Sequence, residues 1–169
     1  MGSYCEEGTK LPIPCPPGTY GNETEYKGLM DCQQCPPGLV CKRSGLVEPD
    51  DICAAGHYCP SGSNETSVNP CPPGYRCPEG SGYIDECPSG QYQDQFGQPD
   101  CLICPEGFFC NSKLEPVTNF NKYECPQGYF CPAGTKYAEE FPCPIGMLNF
   151  KNNLKKCISK LYQFYLLMH

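Results

Sequence analysis

The tetrapeptide Cys-x-x-Gly recurs along this chain at intervals of 16 to 21 residues, and this recurrence limits the folds open to it. The eight copies start at Cys15, Cys35, Cys53, Cys71, Cys87, Cys104, Cys125 and Cys143. A period of this size indicates an array of small repeats, each of which contacts mainly its neighbours. Pro follows the cysteine in seven copies, and Pro followed two residues later by Gly favours a type I β-turn that opens each repeat.

The repeats are of two kinds, which differ in the position of their second cysteine. Short repeats place it six residues after the first, and long repeats place it 14 to 17 residues after the first. The predicted divisions are a truncated short repeat (1–14), a long repeat (15–34), three short repeats (35–86), a long repeat (87–103), two short repeats (104–142), a long repeat (143–159) and a non-repeat tail (160–169).

Most repeats carry an apolar or aromatic residue two positions after the glycine. These residues are Tyr20, Val40, Tyr58, Tyr92, Phe109, Phe130 and Leu148, and Arg76 is the exception. One such side chain per repeat at a fixed offset predicts a miniature core that packs on the neighbouring disulfide, rather than a stripe that binds a ligand.

Cysteine makes up 17 of the 169 residues, the level of a disulfide scaffold in a secreted sequence. With 18 glycines, 20 prolines, no tryptophan and no sustained helical or strand periodicity, a large apolar core is not expected. A disulfide that closes a loop of about 15 residues stabilises a fold by roughly 3 kcal/mol. We therefore predict small disulfide-rich repeats in an elongated, mostly irregular chain with short β-hairpins and almost no helix.

Two disulfide patterns fit the array, and they leave different cysteines unpaired. In the self-contained pattern each repeat closes on itself and leaves Cys5 unpaired. Its pairs are Cys15–Cys32, Cys35–Cys41, Cys53–Cys59, Cys71–Cys77, Cys87–Cys101, Cys104–Cys110, Cys125–Cys131 and Cys143–Cys157. The shifted pattern links the second cysteine of one repeat to the first of the next, as in Cys5–Cys15 and Cys41–Cys53, and leaves Cys157 unpaired. It ranks second because it needs tight bridges within CxxC pairs.

Both ends of the sequence interrupt a repeat. Cys5 matches the second cysteine of a short repeat whose first cysteine would precede Met1. After Cys157 the expected CxxC spacing falls on Lys160, so the 160–169 tail looks foreign. We interpret it as the product of an incorrect exon boundary or of read-through. The less favoured alternatives are the stub of a hydrophobic anchor and a true functional C-terminus. We therefore expect a fragment that contacts a membrane only through parts of the protein missing from this chain.

Composition and two sequence motifs point to an extracellular location. Disulfides persist in oxidising compartments, and Asn22 and Asn64 each begin an Asn-Glu-Thr acceptor for N-linked glycosylation. A formal net charge of −7 with 12 Lys and Arg argues against nucleic-acid binding, which needs a basic face.

The motifs CPPGTY from Cys15, CPPGYRCPEGS from Cys71 and CPQGYFCPAGT from Cys125 resemble the cysteine-rich ephrin-receptor-like repeats of large extracellular proteins. The long repeat with its trailing CxxC also resembles the cysteine-rich modules of tumour necrosis factor receptors and growth-factor receptors. That second resemblance implies the pairs Cys87–Cys101, Cys104–Cys125 and Cys110–Cys131. Both resemblances imply ectodomain segments that space, adhere or bind protein ligands, without catalytic residues.

Metal binding is not predicted. The CxxC pairs at Cys32 and Cys101 have zinc-ligand spacing but lie too far apart in sequence to form one four-ligand site. The segment Tyr83-Ile84-Asp85-Glu86-Cys87 resembles the entry to a calcium-binding EGF-like domain, although Tyr83 replaces an acidic residue and the six-cysteine spacing does not follow.

Catalysis is not predicted either. His57 is the sole internal histidine, and the carboxylate pairs Asp50–Asp51 and Glu139–Glu140 lie in connections between repeats. No thioredoxin-like pattern surrounds either CxxC pair. We expect a non-enzymatic, cofactor-free spacer or adhesive segment of a secreted or surface protein that binds proteins or glycans. The alternative functions are a receptor's ligand-binding ectodomain segment and, second, a calcium-binding EGF-like module.

Overall fold

The computed structural model describes residues 1–145, 147–148 and 157–159. Within these residues it contains eight disulfides, two-residue strands paired as antiparallel hairpins, and two three-residue 3-10 helices. The predicted disulfide-rich, mostly irregular fold with short hairpins is confirmed. The 160–169 tail and the side chain of Leu148 lie outside the described residues.

Each hairpin joins the residues after one turn glycine to the residues before the next repeat's first cysteine. The strands are β1 (Ser3–Tyr4), β2 (Ile13–Pro14), β3 (Thr19–Tyr20), β4 (Gln33–Gln34), β5 (Leu39–Val40), β6 (Asp51–Ile52), β7 (His57–Tyr58), β8 (Asn69–Pro70), β9 (Tyr75–Arg76), β10 (Asp85–Glu86), β11 (Gln91–Tyr92), β12 (Leu102–Ile103), β13 (Met147–Leu148) and β14 (Ile158–Ser159). Each odd-numbered strand pairs with the next, and single bridges Phe108↔Glu124 and Tyr129↔Pro142 take the same place in two further repeats. The 3-10 helices are Leu29–Asp31 and Phe120–Lys122.

The turn that opens each repeat is not the predicted type I turn from the cysteine. In the first repeat the N–H of Thr19 donates to the carbonyl of Pro16 (3.1 Å), so the turn begins one residue after Cys15. Gly18 then occupies its third position with φ of +85°, the left-handed region that defines a type II turn there and favours glycine. The type I prediction is wrong because it placed the glycine at the fourth position, where its backbone freedom is not needed.

Backbone hydrogen bonds join each repeat to the next through the turn glycine. Gly38 donates its N–H to the carbonyl of Cys59 (2.9 Å) and accepts from the N–H of Cys53 (2.9 Å). The same two bonds recur at Gly18, Gly56, Gly74, Gly90 and Gly107. In long repeats Gly21 or Gln93 supplies the accepting carbonyl, because no cysteine occupies that position. These backbone hydrogen bonds and the disulfides form a repeated framework, here called the frame, that does not depend on most side chains.

Contacts also reach the next repeat but one. A Cβ atom placed on Gly38 would lie 2.2 Å from the carbonyl oxygen of Gly80, two repeats further on, which is closer than real Cβ atoms approach. Gly18 faces Gly62, Gly56 faces Gly97 and Gly90 faces Gly134 in the same way, at 2.1 to 2.5 Å. The turn glycine is thus required both for its φ angle and for the absence of a side chain.

The chain forms two compact units. Unit 1 comprises Met1–Pro72, Arg76–Asp85 and Phe96–Asp100, and unit 2 comprises Pro73–Tyr75, Glu86–Gln95 and the described part of Cys101–His169. Their buried apolar clusters are small and centre on disulfides. In unit 1 Val40 packs on Cys53 and Cys59, and in unit 2 Tyr92 packs on Cys104 and Cys110. At these two positions the predicted packing on the neighbouring disulfide is confirmed.

Candidate interaction surface

The disulfides close each repeat on itself and thereby fix the base of every loop. The bonded pairs are Cys15–Cys32, Cys35–Cys41, Cys53–Cys59, Cys71–Cys77, Cys87–Cys101, Cys104–Cys110, Cys125–Cys131 and Cys143–Cys157. These are the pairs of the self-contained pattern, with Cα–Cα distances of 5.7 to 5.9 Å, and Cys5 is a free, exposed thiol. The receptor-type pairs Cys104–Cys125 and Cys110–Cys131 do not form, because the turn folds Cys104 back onto Cys110.

A second turn motif was missed by the sequence reasoning. After the second cysteine of several repeats, Cys-x-x-Gly occurs again and is followed by Ser or Thr, starting at Cys5, Cys59, Cys77 and Cys131. At Cys59 the hydroxyl of Ser63 donates to the carbonyl of Pro60 (2.6 Å), and the N–H of Gly62 donates to the carbonyl of Cys35 in the preceding repeat (2.8 Å). A search for the tetrapeptide at every cysteine, without a fixed interval, would have found these turns.

The loops between cysteines expose large apolar side chains that the frame does not use. From Cys5 to Cys143 every loop of nine or more residues carries at least one. One from each loop is Leu11 (78%), Met30 (94%), Val47 (43%), Val68 (55%), Tyr83 (73%), Phe96 (65%), Leu114 (77%) and Tyr137 (36%). One exposed apolar side chain is ordinary in a soluble protein. Its recurrence in each of these loops makes the loops the candidate interaction surface.

The loop 111–124 of unit 2 has a small apolar base of its own. The ring of Phe120 lies 4.8 Å from that of Tyr92 and 5.0 Å from that of Phe108, both in edge-on geometry, and Val117 is fully buried beside them. Edge-on aromatic pairs contribute about 0.5–1.5 kcal/mol beyond the area they bury. This base supports the exposed Leu114 on an ordered loop.

Two polar contacts hold the same loop. The hydroxyl of Tyr123 donates to Oε1 of Glu115 (2.6 Å), and Lys113 Nζ lies 5.1 Å from the centre of the Tyr137 ring. The hydrogen bond to Glu115, followed by burial, raises the pKa of Tyr123. The side chains on both sides of Leu114 are therefore engaged with the body of unit 2.

Three of the four paired carboxylates noted in the sequence, Asp50, Asp51 and Glu140, accept local hydrogen bonds. The pKa of Asp50 is lowered first by the Lys42 N–H and further by Arg43, and that of Asp51 is lowered first by the Lys42 side chain. Glu140 accepts from the N–H of Lys136 (2.8 Å), so it closes a turn.

The residues considered for calcium binding and for catalysis, Asp85 and His57, also form local contacts. Oδ2 of Asp85 accepts from Nε of Arg76 (2.8 Å), which compensates the charge that a calcium ion would need. His57 Nδ1 lies 3.3 Å from the carbonyl oxygen of Ala55, within its own turn. Among the residues that the structure describes, no three His, Cys, Asp or Glu side chains are grouped to hold a metal, and no helix could span a membrane.

The sequence of this chain is similar to short segments of large multidomain proteins. It is 32% identical over 109 residues to signal peptide, CUB and EGF-like domain-containing protein 2 of Danio rerio, a match that covers 62% of this chain and 9% of that protein. Protein 3 of the same name in Homo sapiens is 31% identical over 109 residues, with the same coverage. No protein-family model matches the chain.

A further relative is sushi, von Willebrand factor type A, EGF and pentraxin domain-containing protein 1 of Mus musculus. It is 27% identical over 123 residues, which cover 61% of this chain and 3% of that protein. The chain spans less than a tenth of the length of each of these relatives. It is therefore homologous to a segment of extracellular, cysteine-rich proteins whose names record EGF-like or EGF domains.

Proposed function

We propose that this chain is a scaffold segment of a larger secreted or cell-surface protein, in which disulfide-closed repeats space the molecule and their loops contact proteins or glycans. One observation carries the proposal. The main chain and the disulfides build the frame, and each loop of nine or more residues from Cys5 to Cys143 leaves a large apolar side chain in solvent.

The energetics of those loops support a contact role. Full burial of a Leu, Met or Phe side chain stabilises a complex by roughly 1.5–3 kcal/mol, and a few such residues dominate most protein interfaces. Met30, Leu114 and Leu11 have more than three quarters of their surface exposed. Because their loops are anchored at both ends by disulfides or backbone bonds, binding would cost little ordering entropy.

The extracellular assignment rests on two supports. Eight disulfides in one chain require an oxidising compartment to persist. The relatives' names include a signal peptide, the element that directs a chain into the secretory pathway. Within this class, the CPxGxY motifs favour assignment to ephrin-receptor-like repeats.

The proposal gives the chain no catalytic role, because Asp50, Asp51, Glu140 and His57 form bonds within turns and hairpins. A receptor's ligand-binding segment would use the same loops, and the transcript of the whole protein separates the two functions. A membrane-spanning helix followed by a cytoplasmic domain favours a receptor, whereas further repeats favour a matrix protein. The calcium-binding alternative is disfavoured by the pairing of Asp85 with Arg76.

Cell adhesion to the immobilised, oxidised chain tests the proposal, with cultured fibroblasts as the probe. The test variant changes the most exposed apolar residue of six loops to serine: Leu11, Met30, Val68, Tyr83, Phe96 and Leu114. The control variant changes six exposed charged residues to serine and keeps the net charge: Lys10, Lys27, Lys122, Glu48, Glu79 and Asp94.

We expect the test variant to lose at least tenfold in adhesion and the control to retain most of it, with the disulfide map unchanged in both. Adhesion that survives the test variant, or that the wild-type chain lacks, would contradict a contact role for the loops.

A further inference from the structure

The Asn22 acceptor lies on an ordered part of the first long repeat. Asn22 and Thr24 are exposed, while the preceding Gly21 is buried. The amide oxygen of Asn22 accepts from Nε2 of Gln33 (2.8 Å) and from the hydroxyl of Tyr26 (3.3 Å). Both bonds use the oxygen, whereas an N-linked glycan is attached to the amide nitrogen. The local structure therefore orients this side chain without occupying the atom that is glycosylated.

The Asn64 acceptor lies two repeats further on. Asn64 is exposed, and its Cβ is 4.0 Å from the place where a Cβ would stand on Gly18, so it borders the first repeat's turn. Beside it, the hydroxyl of Ser61 donates to Oε1 of Gln34 (3.1 Å), and a Cβ placed on Gly62 would lie 3.9 Å from that same glutamine side chain. The segment that carries Asn64 therefore contacts Gln34 through Ser61.

Asn22 and the segment that carries Asn64 contact consecutive residues of one strand, Asn22 directly and the segment through Ser61. Gln33 and Gln34 form β4, which pairs with β3 in the register Tyr20↔Gln33 and Thr19↔Gln34. Successive side chains of a strand point to opposite faces. Asn22, bonded to Gln33, therefore lies on one face of the β3–β4 hairpin, and the segment that carries Asn64, bonded to Gln34, lies on the other.

We propose that Asn22 and Asn64 both carry N-linked glycans, which leave the β3–β4 hairpin on opposite faces and cover the first three repeats from two sides. The donor is a lipid-pyrophosphate-linked oligosaccharide. The bond between its anomeric carbon and the pyrophosphate oxygen breaks, a bond from that carbon to Nδ2 forms, Nδ2 loses one proton, and the lipid pyrophosphate leaves.

The glycans divide the surface of the protein. Both acceptors lie in unit 1, and the sequence contains no other Asn-x-Ser or Asn-x-Thr. Glycans on two faces restrict large partners at unit 1, whereas the loop around Leu114 in unit 2 has no acceptor. Among the loops of the candidate surface, the one around Leu114 is therefore among those that the glycans obstruct least.

Expression of the chain through a mammalian secretory pathway tests occupancy. The variants are Thr24→Ala, Thr66→Ala and the double substitution, and Asn22→Gln and Asn64→Gln serve as a second set should a threonine change disturb folding. Intact mass before and after peptide-N-glycosidase should show two glycans on the wild-type chain, one on each single variant and none on the double variant. A secreted wild-type chain with fewer than two glycans overturns the proposal.

NMR of the same variants tests the two faces after the glycans are trimmed to one N-acetylglucosamine. With the double variant as reference, the sugar on Asn22 should shift the side-chain amide signals of Gln33 and leave those of Gln34 unchanged. The sugar on Asn64 should shift the signals of Gln34, Gly18 and Ser61 and leave Gln33 unchanged. Either sugar shifting both glutamines equally would refute the opposite-face geometry even if both sites are occupied. Neither result depends on whether the loops bind a partner.

Discussion

The two units share one disulfide frame but complete it in different ways. In unit 1 a repeat contacts the repeat after the next one through a pair of glycines, such as Gly38 and Gly80. Unit 2 keeps one such contact, between Gly90 and Gly134, but at Gly74 it is Pro116 that stands opposite, where a Cβ would lie 2.7 Å from the proline's own Cβ. The aromatic cluster around Phe120 then adds side-chain packing that has no counterpart of its size among the buried clusters of unit 1.

The difference shows that the frame can be closed either by main chain or by side chains. A main-chain contact needs no particular loop sequence, but it excludes every residue except glycine at the point of contact. A side-chain cluster needs specific rings and allows a loop of 14 residues between Cys110 and Cys125. The first arrangement leaves the loops free to vary, and the second fixes one loop in place.

The largest effect is expected where the glycine contact of unit 1 is blocked. Gly38→Ala introduces a left-handed alanine, which costs about 1–2 kcal/mol, and overpacks the carbonyl of Gly80, which costs about 1–3 kcal/mol more. Gly80→Ala is the matched control, because Gly80 has φ of +80° and nothing within 4 Å of its Cβ position. Urea unfolding of oxidised protein should show a loss of about 3 kcal/mol for Gly38→Ala and about half of that for Gly80→Ala. Equal losses would show that crowding against the Gly80 carbonyl adds no cost to the left-handed conformation.

An intermediate effect is expected from the aromatic cluster of unit 2. Phe120→Ala removes a half-buried ring from between Tyr92 and Phe108, and we expect a loss of about 2 kcal/mol, below the range for fully buried rings. Phe96→Ala removes the same side chain where it is 65% exposed and should change stability by less than about 0.5 kcal/mol. Urea unfolding measures both variants. If the two substitutions cost the same, the cluster does not stabilise unit 2.

These two regions also show what the sequence could and could not predict. The interval between cysteines favoured disulfides within each repeat, because a turn between two cysteines six residues apart can bring them together. The glycine contacts between alternate repeats were not predicted, since they depend on how neighbouring repeats stack, and spacing along the chain does not encode that. The type II turn was missed because Pro and Gly at these positions fit a type I turn that begins at the cysteine as well as a type II turn that begins one residue later.

The candidate surface was predictable only in part. The acceptors at Asn22 and Asn64 are visible as tripeptides, but their placement on two faces follows from Gln33 and Gln34, which no motif marks. The cluster around Phe120 was not predicted either, because Phe120, Val117 and Tyr123 fall outside the repeated offset. Side chains that pack across a loop leave no periodic signal in a segment this short.

A smaller effect is expected at Tyr123, and it depends on pH. The bond to Glu115 raises the pKa of Tyr123 above 10.0, so its stabilising contribution is present below pH 10 and is lost as pH rises through the folded pKa. Tyr123→Phe should cost about 0.5–1 kcal/mol at neutral pH. The wild type and the variant should converge in stability as pH rises through the folded pKa of Tyr123. A constant difference between them at all pH values would contradict this assignment.

The smallest effect is expected from the exposed ion pairs of the β5–β6 hairpin in unit 1. The folded pKa of Asp50 and of Asp51 lies below the ordinary 3.8, so their contribution is present above pH 4 and is lost as pH falls through the folded values. The wild-type melting temperature should fall between pH 5 and pH 2 slightly more than that of Asp50→Asn/Asp51→Asn. High salt should reduce this difference, and an unchanged difference at 1 M NaCl would contradict screening of an exposed pair.

Full reduction and alkylation of the chain tests most directly whether disulfides and main-chain bonds, rather than an apolar core, maintain the fold. After reduction without metal, we expect the hairpin signal in circular dichroism to vanish and the radius of gyration to approach about 43 Å, the value for an unfolded chain of this length. Treatment of the oxidised chain with EDTA should change neither quantity. A reduced chain that keeps its circular dichroism and its compactness would contradict the account.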